Sequence, residues 1–318
     1  MIERAEELVT VFGGGGFIGR YVCEALLKRG ARVRIAQRNP RQAYIIQPLG
    51  QVGQFGFVQA DVTHAGSVRR ALKGATCAIN LCGMFGNQMR SVHVAGARNV
   101  AEGARDVGID ALVQISAIGA SPNSPSNYGR TKAEGETVSL QAFPKATIIR
   151  PSIVFGPEDH LTNRFAAMAR LPILPVIAAK RNFRPVYVRD VARAIAAATL
   201  TPQSLDANIY EIGGPQTMNM MQLHRAILDV TGQKPHLVPM PDLFGRLISS
   251  LGWLPGAPLT RDQWLMLQQD NVPSSSMPGL EAFGINPTPL AAVASEWLGR
   301  FSSVGKFASR RIHLTPTL

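Results

Sequence analysis

Residues 9–20, VTVFGGGGFIGR, leave this chain few ways to begin folding. A short apolar run reaches glycines at 13, 16 and 19, and then apolar residues recur at helical spacing (Tyr21, Val22, Ala25, Leu26, Leu27). That order is strand, glycine turn, helix. Gly13 permits a sharp turn with positive φ. Gly16 leaves bare backbone at a helix N-terminus, where amide groups and the helix dipole favour a pyrophosphate. Gly19 lets helix and strand approach closely. A glycine turn with no ligand would use the same residues, but the strand-to-helix context is the one a dinucleotide fingerprint requires.

The pattern then alternates. Strand candidates are 31–38, 56–62, 77–83, 110–116 and 146–156, with helical patterning at 92–107 and from Tyr128 to about Phe143. Apolar strands separated by helices predict an α/β fold, a Rossmann-type doubly wound parallel sheet. We expect a dinucleotide-binding core over residues 1–150. Beyond 151 prolines increase and the pattern becomes irregular, with helical patches at 162–170, 188–200, 218–231, 242–252 and 289–301. Residues 151–318 should complete the sheet and add a smaller C-terminal lobe over its carboxyl edge, where such folds bind ligands. With 318 residues, 46% of them hydrophobic, the chain can bury a large core. No apolar run reaches the roughly 18 residues needed to span a bilayer. The opening MIERAEEL carries acids and leads straight into a strand, so neither a signal nor a transit peptide is expected. The three cysteines (Cys23, Cys77, Cys82) lack metal-ligand spacing and read as small core residues in a reducing compartment.

The net charge is +12, and 26 of the 33 basic residues are arginines. They are dispersed rather than striped, and aromatics make up only 7%, which argues against a nucleic-acid binder. A solvated surface accounts for most of these charges. An anionic membrane face or an acidic protein partner is the sharper reading.

Three constellations carry chemistry. Where a carboxylate would take the ribose 2′-hydroxyl of NAD, the second strand ends Gln37-Arg38-Asn39, followed by Arg41. Guanidiniums there could bind a 2′-phosphate, which favours NADPH over NAD, though surface arginines would look the same. Asp61 follows the third strand, either to accept from an adenine amino group or simply to cap a turn. Ser116 closes the fifth strand, and Tyr128 and Lys132 stand four apart in NYGRTK, on one helical face. An ammonium beside a phenol lowers the phenol pKa, giving an acid–base group, and the serine hydroxyl could hold a substrate oxygen.

Together GGGGFIGR, Asp61, INLCG (79–83), QIS (114–116), Tyr128-xxx-Lys132 and RPSIVFGPED (150–159) resemble the extended short-chain dehydrogenase/reductase family over about the first 215 residues. By position, the resemblance implies a pyrophosphate loop at Gly13, Gly16, Phe17, Ile18 and Gly19, and a 2′-phosphate contact at Arg38. It implies adenine-side contacts at Asp61 and Val62, and a strand end beside the cofactor at Leu81, Cys82 and Gly83. Ser116, Tyr128 and Lys132 match the catalytic residues, Tyr128 and Lys132 also touching cofactor, and Pro151 and Ser152 match the segment beside the nicotinamide. One position departs: His93 opens the helix at 92–107 where the family often carries an asparagine that organises a proton relay. His93 leaves that relay open, or it is a surface or packing residue.

YGRTKAEGE, FPKATIIRPSIVFGPEDHLTNRFA and RPVYVRDVARAI are further similar to the nucleotide-binding accessory subunit of respiratory complex I and its bacterial relatives. That narrower resemblance implies tightly held NADPH and a role at complex I subunits or assembly intermediates, with peripheral membrane contact and no demonstrated turnover. Quinone synthesis is a further connection of some relatives. The expected location is the cytoplasmic face of a bacterial inner membrane, or the matrix side in an organelle. The alternative is a free NADP-dependent reductase or a sugar-nucleotide epimerase/dehydratase. The apolar, proline-containing run at 236–258 tilts the reading toward an apolar ligand or a docking surface. In RFSSVGKFASRRIHL (300–314), Phe301, Val304 and Phe307 among basic residues read either as a frayed helix or as an interfacial anchor.

Overall fold

The structure is a computed structural model, and it describes residues 7–250 and 259–302. Most of the C-terminal tail read above as an anchor, and residues 251–258 of the apolar run, lie outside the described residues. The chain divides into two compact units. The first comprises 1–152, 188–213 and 273–286; the second comprises 153–187, 214–272 and 287–318.

The first unit is the expected doubly wound fold. Strands β1 (Leu8–Phe12), β2 (Arg32–Gln37), β3 (Phe55–Gln59), β4 (Cys77–Asn80), β5 (Ala111–Ile115) and β6 (Thr147–Pro151) join the strand Ile209–Ile212 in one seven-stranded sheet. Its order is Ile209–Ile212, β6, β5, β4, β1, β2, β3, and every pair is parallel. The central strands are buried on both faces, as helices on both sides demand: all five residues of β5 are buried. β1 shows the two faces by its alternation. Thr10 and Phe12 point toward α2 (Ala65–Leu72), the Thr10 hydroxyl donating to the Ala71 carbonyl at 3.0 Å. Helix α3 (Ala97–Val107) packs against α2, and α4 (Asn127–Ala142) packs against α3. On the other face α1 (Phe17–Lys28) packs against the helix Val188–Leu200, and Arg189 binds Glu24 of α1 at 2.9 Å.

Ahead of α3 the expected helix 92–107 opens differently. Residues Ser91–Gly96 form a single π-type turn, a widened geometry often met at functional sites. This turn presses onto α4 at Gly135, where a Cβ would run into the His93 carbonyl oxygen.

Among its described residues the second unit contains three two-stranded pairs: Val154–Phe155 with Val186–Tyr187, Asn182–Phe183 with Met218–Asn219, and Ile173–Val176 with His236–Pro239. Its helix Met220–Thr231 opens with a capping box, in which the Asn219 and Gln222 side chains each accept from the other's backbone N–H at 2.8 Å. Phe155, Tyr187 and Trp297 stack in its interior. Helix Asp242–Ser250 exposes Leu243, Phe244 and Leu247, while Gly245 and Ser249 are buried. The patch expected as one helix at 289–301 is three short turns. No helix among the described residues is long and apolar enough to cross a membrane.

One buried ion cluster fastens α4 to the sheet. Arg150 of β6 grips Glu136 of α4 through two bonds of 2.8 and 2.6 Å and reaches Glu211 of the neighbouring strand at 3.1 Å. The Glu136 carboxylate holds the Arg150 guanidinium above its ordinary pKa. Glu136→Gln would leave the Arg150 guanidinium with only the longer Glu211 bond, which should cost about 2 kcal/mol. Urea unfolding is the check, and a loss below about 1 kcal/mol would refute an energetic role for the cluster.

Candidate functional site

The parallel strands deliver nearly every residue singled out above to their carboxyl ends. Gly13 follows β1, Arg38 follows β2, Asp61 and Val62 follow β3, Leu81–Gly83 follow β4, Ser116 follows β5, and Pro151 and Ser152 end β6. In a parallel sheet these ends share one edge.

Gly13 has φ +80°, and its N–H donates to the Ala36 carbonyl of β2 at 3.0 Å, which turns the chain sharply out of β1. Gly19, on the first turn of α1, lies directly against the preceding turn. A Cβ there would land on the Gly13 carbonyl oxygen and 2.6 Å from that of Gly14. Gly16 caps the helix from an extended conformation and is exposed, with Phe17 and Ile18 half-buried behind it. No acidic residue occupies the first turn of α1, so nothing there would repel a phosphate. Gln37 adds a contact that the sequence did not reveal. Its amide oxygen accepts from Gly15 N–H at 3.0 Å and its amide nitrogen donates to the Asn39 carbonyl at 2.6 Å, stapling the glycine turn to the end of β2. Arg38 is exposed beside it.

Asp61 serves its own turn, accepting from the Thr63 N–H at 2.9 Å and hydroxyl at 2.7 Å. Burial works against its charge, but the Thr63 bonds, His64 and Arg38 together hold its carboxyl below the usual range. It lines an open groove of about 750 Å³ together with Gln59, Thr63, His64, Ser67 and Arg70. Val62 meets the π-type turn at Gly96, and its carbonyl accepts from Asn99 at 2.8 Å.

Behind β4 and β5, Asn80 and Gln114 form a buried polar pair, the Asn80 amide donating to the Gln114 side chain at 2.8 Å. The Asn80 oxygen accepts from Cys82 N–H at 3.1 Å and so fixes the strand end at Leu81–Gly83. Only a polar residue interrupting each apolar strand could have signalled this pair. Cys23 and Cys77 are buried and Cys82 is half-buried. Burial pushes the Cys82 thiol up to about 12.

Lys132 is buried and its ammonium donates to the Ile115 carbonyl at 3.2 Å. The nitrogen lies 5.8 Å from the centroid of the Tyr128 ring, and a Cβ on Gly83 would come within 3.2 Å of it. The expected lowering of the phenol pKa does not emerge. Burial raises Tyr128 to about 12 and, outweighing Cys82 and Glu136, depresses Lys132 to about 8. Desolvation overrides the ammonium because both groups are taken out of water together. Ser116 Oγ is buried and has no hydrogen-bond partner among the described residues.

His93 is an interior residue, only 2% exposed, rather than a helix-surface one. Its Nε2 accepts from Met84 N–H at 3.1 Å, so its proton sits on Nδ1 and is directed at Thr131 Oγ1, 2.9 Å away. Burial first, and Lys132 second, push its pKa down to about 3. Tyr128 meets the His93 ring edge-on at 5.2 Å and stacks on Phe85 at 4.6 Å.

A dinucleotide fits this edge on two observations. The glycine turn leaves the start of a twelve-residue helix open to phosphate, and a buried serine hydroxyl has no hydrogen-bond partner among the described residues. A family model described as the NAD dependent epimerase/dehydratase family matches residues 9–213. The chain belongs to this family. The resemblance and the fold expected from the sequence are therefore both upheld. Mouse NADH dehydrogenase (ubiquinone) 1 alpha subcomplex subunit 9 is 32% identical over 302 residues, covering 92% of this chain and 80% of the relative. A ceramide reductase of Caulobacter vibrioides is 30% identical over 250 residues, covering 76% of each. Among solved structures, an Escherichia coli NADPH-dependent quinone oxidoreductase complexed with NADPH superposes with TM-score 0.71 at 19% identity, over 91% of this chain and 99% of that one. That likeness shows the fold, which this epimerase/dehydratase-family chain shares with NAD(P)-binding reductases.

His93 makes stability depend on pH. Folded, the ring stays neutral down to about pH 3, whereas an unfolded histidine takes up a proton near pH 6.5. The folded state binds fewer protons in that window, so the contribution is full above about pH 6.5 and is lost as pH falls. Between pH 7 and 5 the wild type should lose about 2 kcal/mol more than His93→Gln, read by urea unfolding at each pH. Equal losses would refute a neutral buried ring.

Proposed function

We propose that this protein binds NADPH and acts as an accessory or assembly factor of a complex I-type respiratory enzyme, with the bound dinucleotide stabilising the fold that docks. The observation that carries the reading is the 32% identity to a subunit of that enzyme, running over 92% of the chain rather than over the glycine turn alone. Gly13, Gly16, Phe17, Ile18 and Gly19 would hold the pyrophosphate, with Asp61 and Val62 toward the adenine. Leu81, Cys82, Gly83, Pro151 and Ser152 would border the nicotinamide. Arg38 would take the 2′-phosphate, at a strand end where Gln37 stands in place of a carboxylate. The partner would be complex I subunits or assembly intermediates, met at the membrane periphery on the cytoplasmic or matrix side.

A second reading, a free NADPH-dependent reductase, is favoured by the unpartnered Ser116 hydroxyl and by the relative named a ceramide reductase. When bound, NADPH would supply hydride to a carbonyl carbon. Ser116 would donate a hydrogen bond to the carbonyl oxygen, and Tyr128 would deliver the proton that completes the alcohol. A phenol near 12 stays protonated at neutral pH, which suits proton donation and disfavours the reverse oxidation. Lys132, anchored on the Ile115 carbonyl, would bind cofactor and support the phenol electrostatically.

Calorimetry should find NADPH bound more tightly than NADH, with Arg38→Ala erasing most of the gap. Because Arg38 is exposed, the gap should be about tenfold. Equal affinities in the unmodified protein would sink the NADPH assignment.

Native-gel co-migration with the respiratory complex separates the two readings. Gly16→Val, which fills the pyrophosphate site, should deplete the assembled complex, while Tyr128→Phe leaves it intact. A Tyr128→Phe defect as severe as loss of the gene would favour the reductase.

A further inference from the structure

The π-type turn at Ser91–Gly96 delivers His93 to a place where both ring nitrogens are engaged. One bond goes to Met84, in the segment after β4; the other goes to Thr131, one helical turn along α4 from Asn127. Thr131 Oγ1 in turn lies 2.9 Å from the Asn127 carbonyl and 3.1 Å from that of Tyr128. The hydrogen-bonded chain therefore begins at a backbone N–H and ends on backbone carbonyls. It has no step that passes a proton onward. The residue after Met84 is Phe85, whose ring stacks on Tyr128 with 19° between planes, while the His93 ring meets the same phenol at 85°. Phe85 is 42% exposed, so much of its ring has no packing around it. Its backbone neighbour is held by His93.

We propose that His93 is a positioning residue, a two-ended clamp that ties Met84 to α4 and thereby seats Phe85 on the ring of Tyr128. Acid–base work at this site is then confined to Ser116, Tyr128 and Lys132, and no proton leaves through residue 93. The consequence for chemistry rests on the reading of Tyr128 given above, whereas the clamp belongs to the protein without cofactor. Two features support a built arrangement. Gly135 admits the His93 backbone onto α4, where any side chain would collide. A ring fixed between a donor and an acceptor also has its tautomer chosen for it, so its orientation is unique.

The test uses full-length protein labelled with 3-fluorotyrosine, the Tyr128 fluorine signal being assigned by its loss in Tyr128→Phe. Stacking on Phe85 displaces that signal by the ring current, and Phe85→Ala measures the displacement. In His93→Gln the side-chain oxygen can still accept from Met84 N–H, so the signal should stay within about a fifth of that displacement of the wild-type position. In His93→Asn the shorter side chain reaches only the Thr131 end, so the signal should move most of the way to the Phe85→Ala position. A merely structural role would lower the melting temperature of both variants without separating their signals. An unmoved signal in a folded His93→Asn would overturn the clamp, as would equal movement in His93→Gln and His93→Asn. Should His93→Asn not fold, Thr131→Val cuts the other end and should also move the signal; no movement there overturns the proposal. NADPH binding measured on the same samples reports separately on the cofactor reading.

Discussion

The distance between strand β1 and helix α1 governs the rest of the site. Gly19 stands so close to the Gly13 and Gly14 carbonyls that a methyl group would have to part the turn. That closeness brings the N-terminus of α1 to the carboxyl edge of the sheet, where helix-end amides can meet a phosphate. The same edge receives the ends of β4, β5 and β6 because the sheet is parallel throughout. Had one strand run the other way, its chemistry-bearing end would sit some five residues distant, about 17 Å off. Topology thus assembles the site, and Gly13 and Gly19 make its first contact possible.

Sequence carried some of this plainly and some of it not at all. The glycine turn was legible because positive φ and close approach each demand a particular residue. Tyr128 and Lys132 were legible because a spacing of four places them on one face of any α-helix. Gln37 was not, since its bond to Gly15 spans 22 positions and depends on how β2 lies beside β1. His93 stood out as a departure, with packing among its readings, but the face it occupies was not legible, for a different reason. A π-type turn takes more residues per turn than 3.6, so positions read at α-helical period from Val92 onward fall on the wrong face. In the second unit the strands run from two to four residues, too short for alternation to register.

The acid–base pair shows why the identity of neighbours does not settle a pKa. Lys132 beside Tyr128 should favour the phenolate if both faced water. Here the ammonium spends a hydrogen bond on the Ile115 carbonyl and is itself driven toward neutrality. With a pKa near 8 the ammonium is still largely charged at neutral pH, so it is the burial of the phenol itself that outweighs its neighbour. Any group that restores charge density or polar contact at this edge would shift the balance, as a bound phosphate and ribose would.

That edge is also where polar satisfaction is uneven. Asn80 and Gln114 pair with each other, Cys82 N–H finds Asn80, and His93 is engaged at both nitrogens. Ser116 stands apart: its hydroxyl is buried at the end of β5 with no partner among the described residues. A buried hydroxyl left unpaired costs about 1–3 kcal/mol, and alanine at the same position would avoid that cost. The fold tolerates it in the midst of an otherwise satisfied polar network, beside Lys132, which hydrogen-bonds the preceding carbonyl. A hydrogen-bonding oxygen brought to Ser116, from water or from a ligand, would satisfy that hydroxyl.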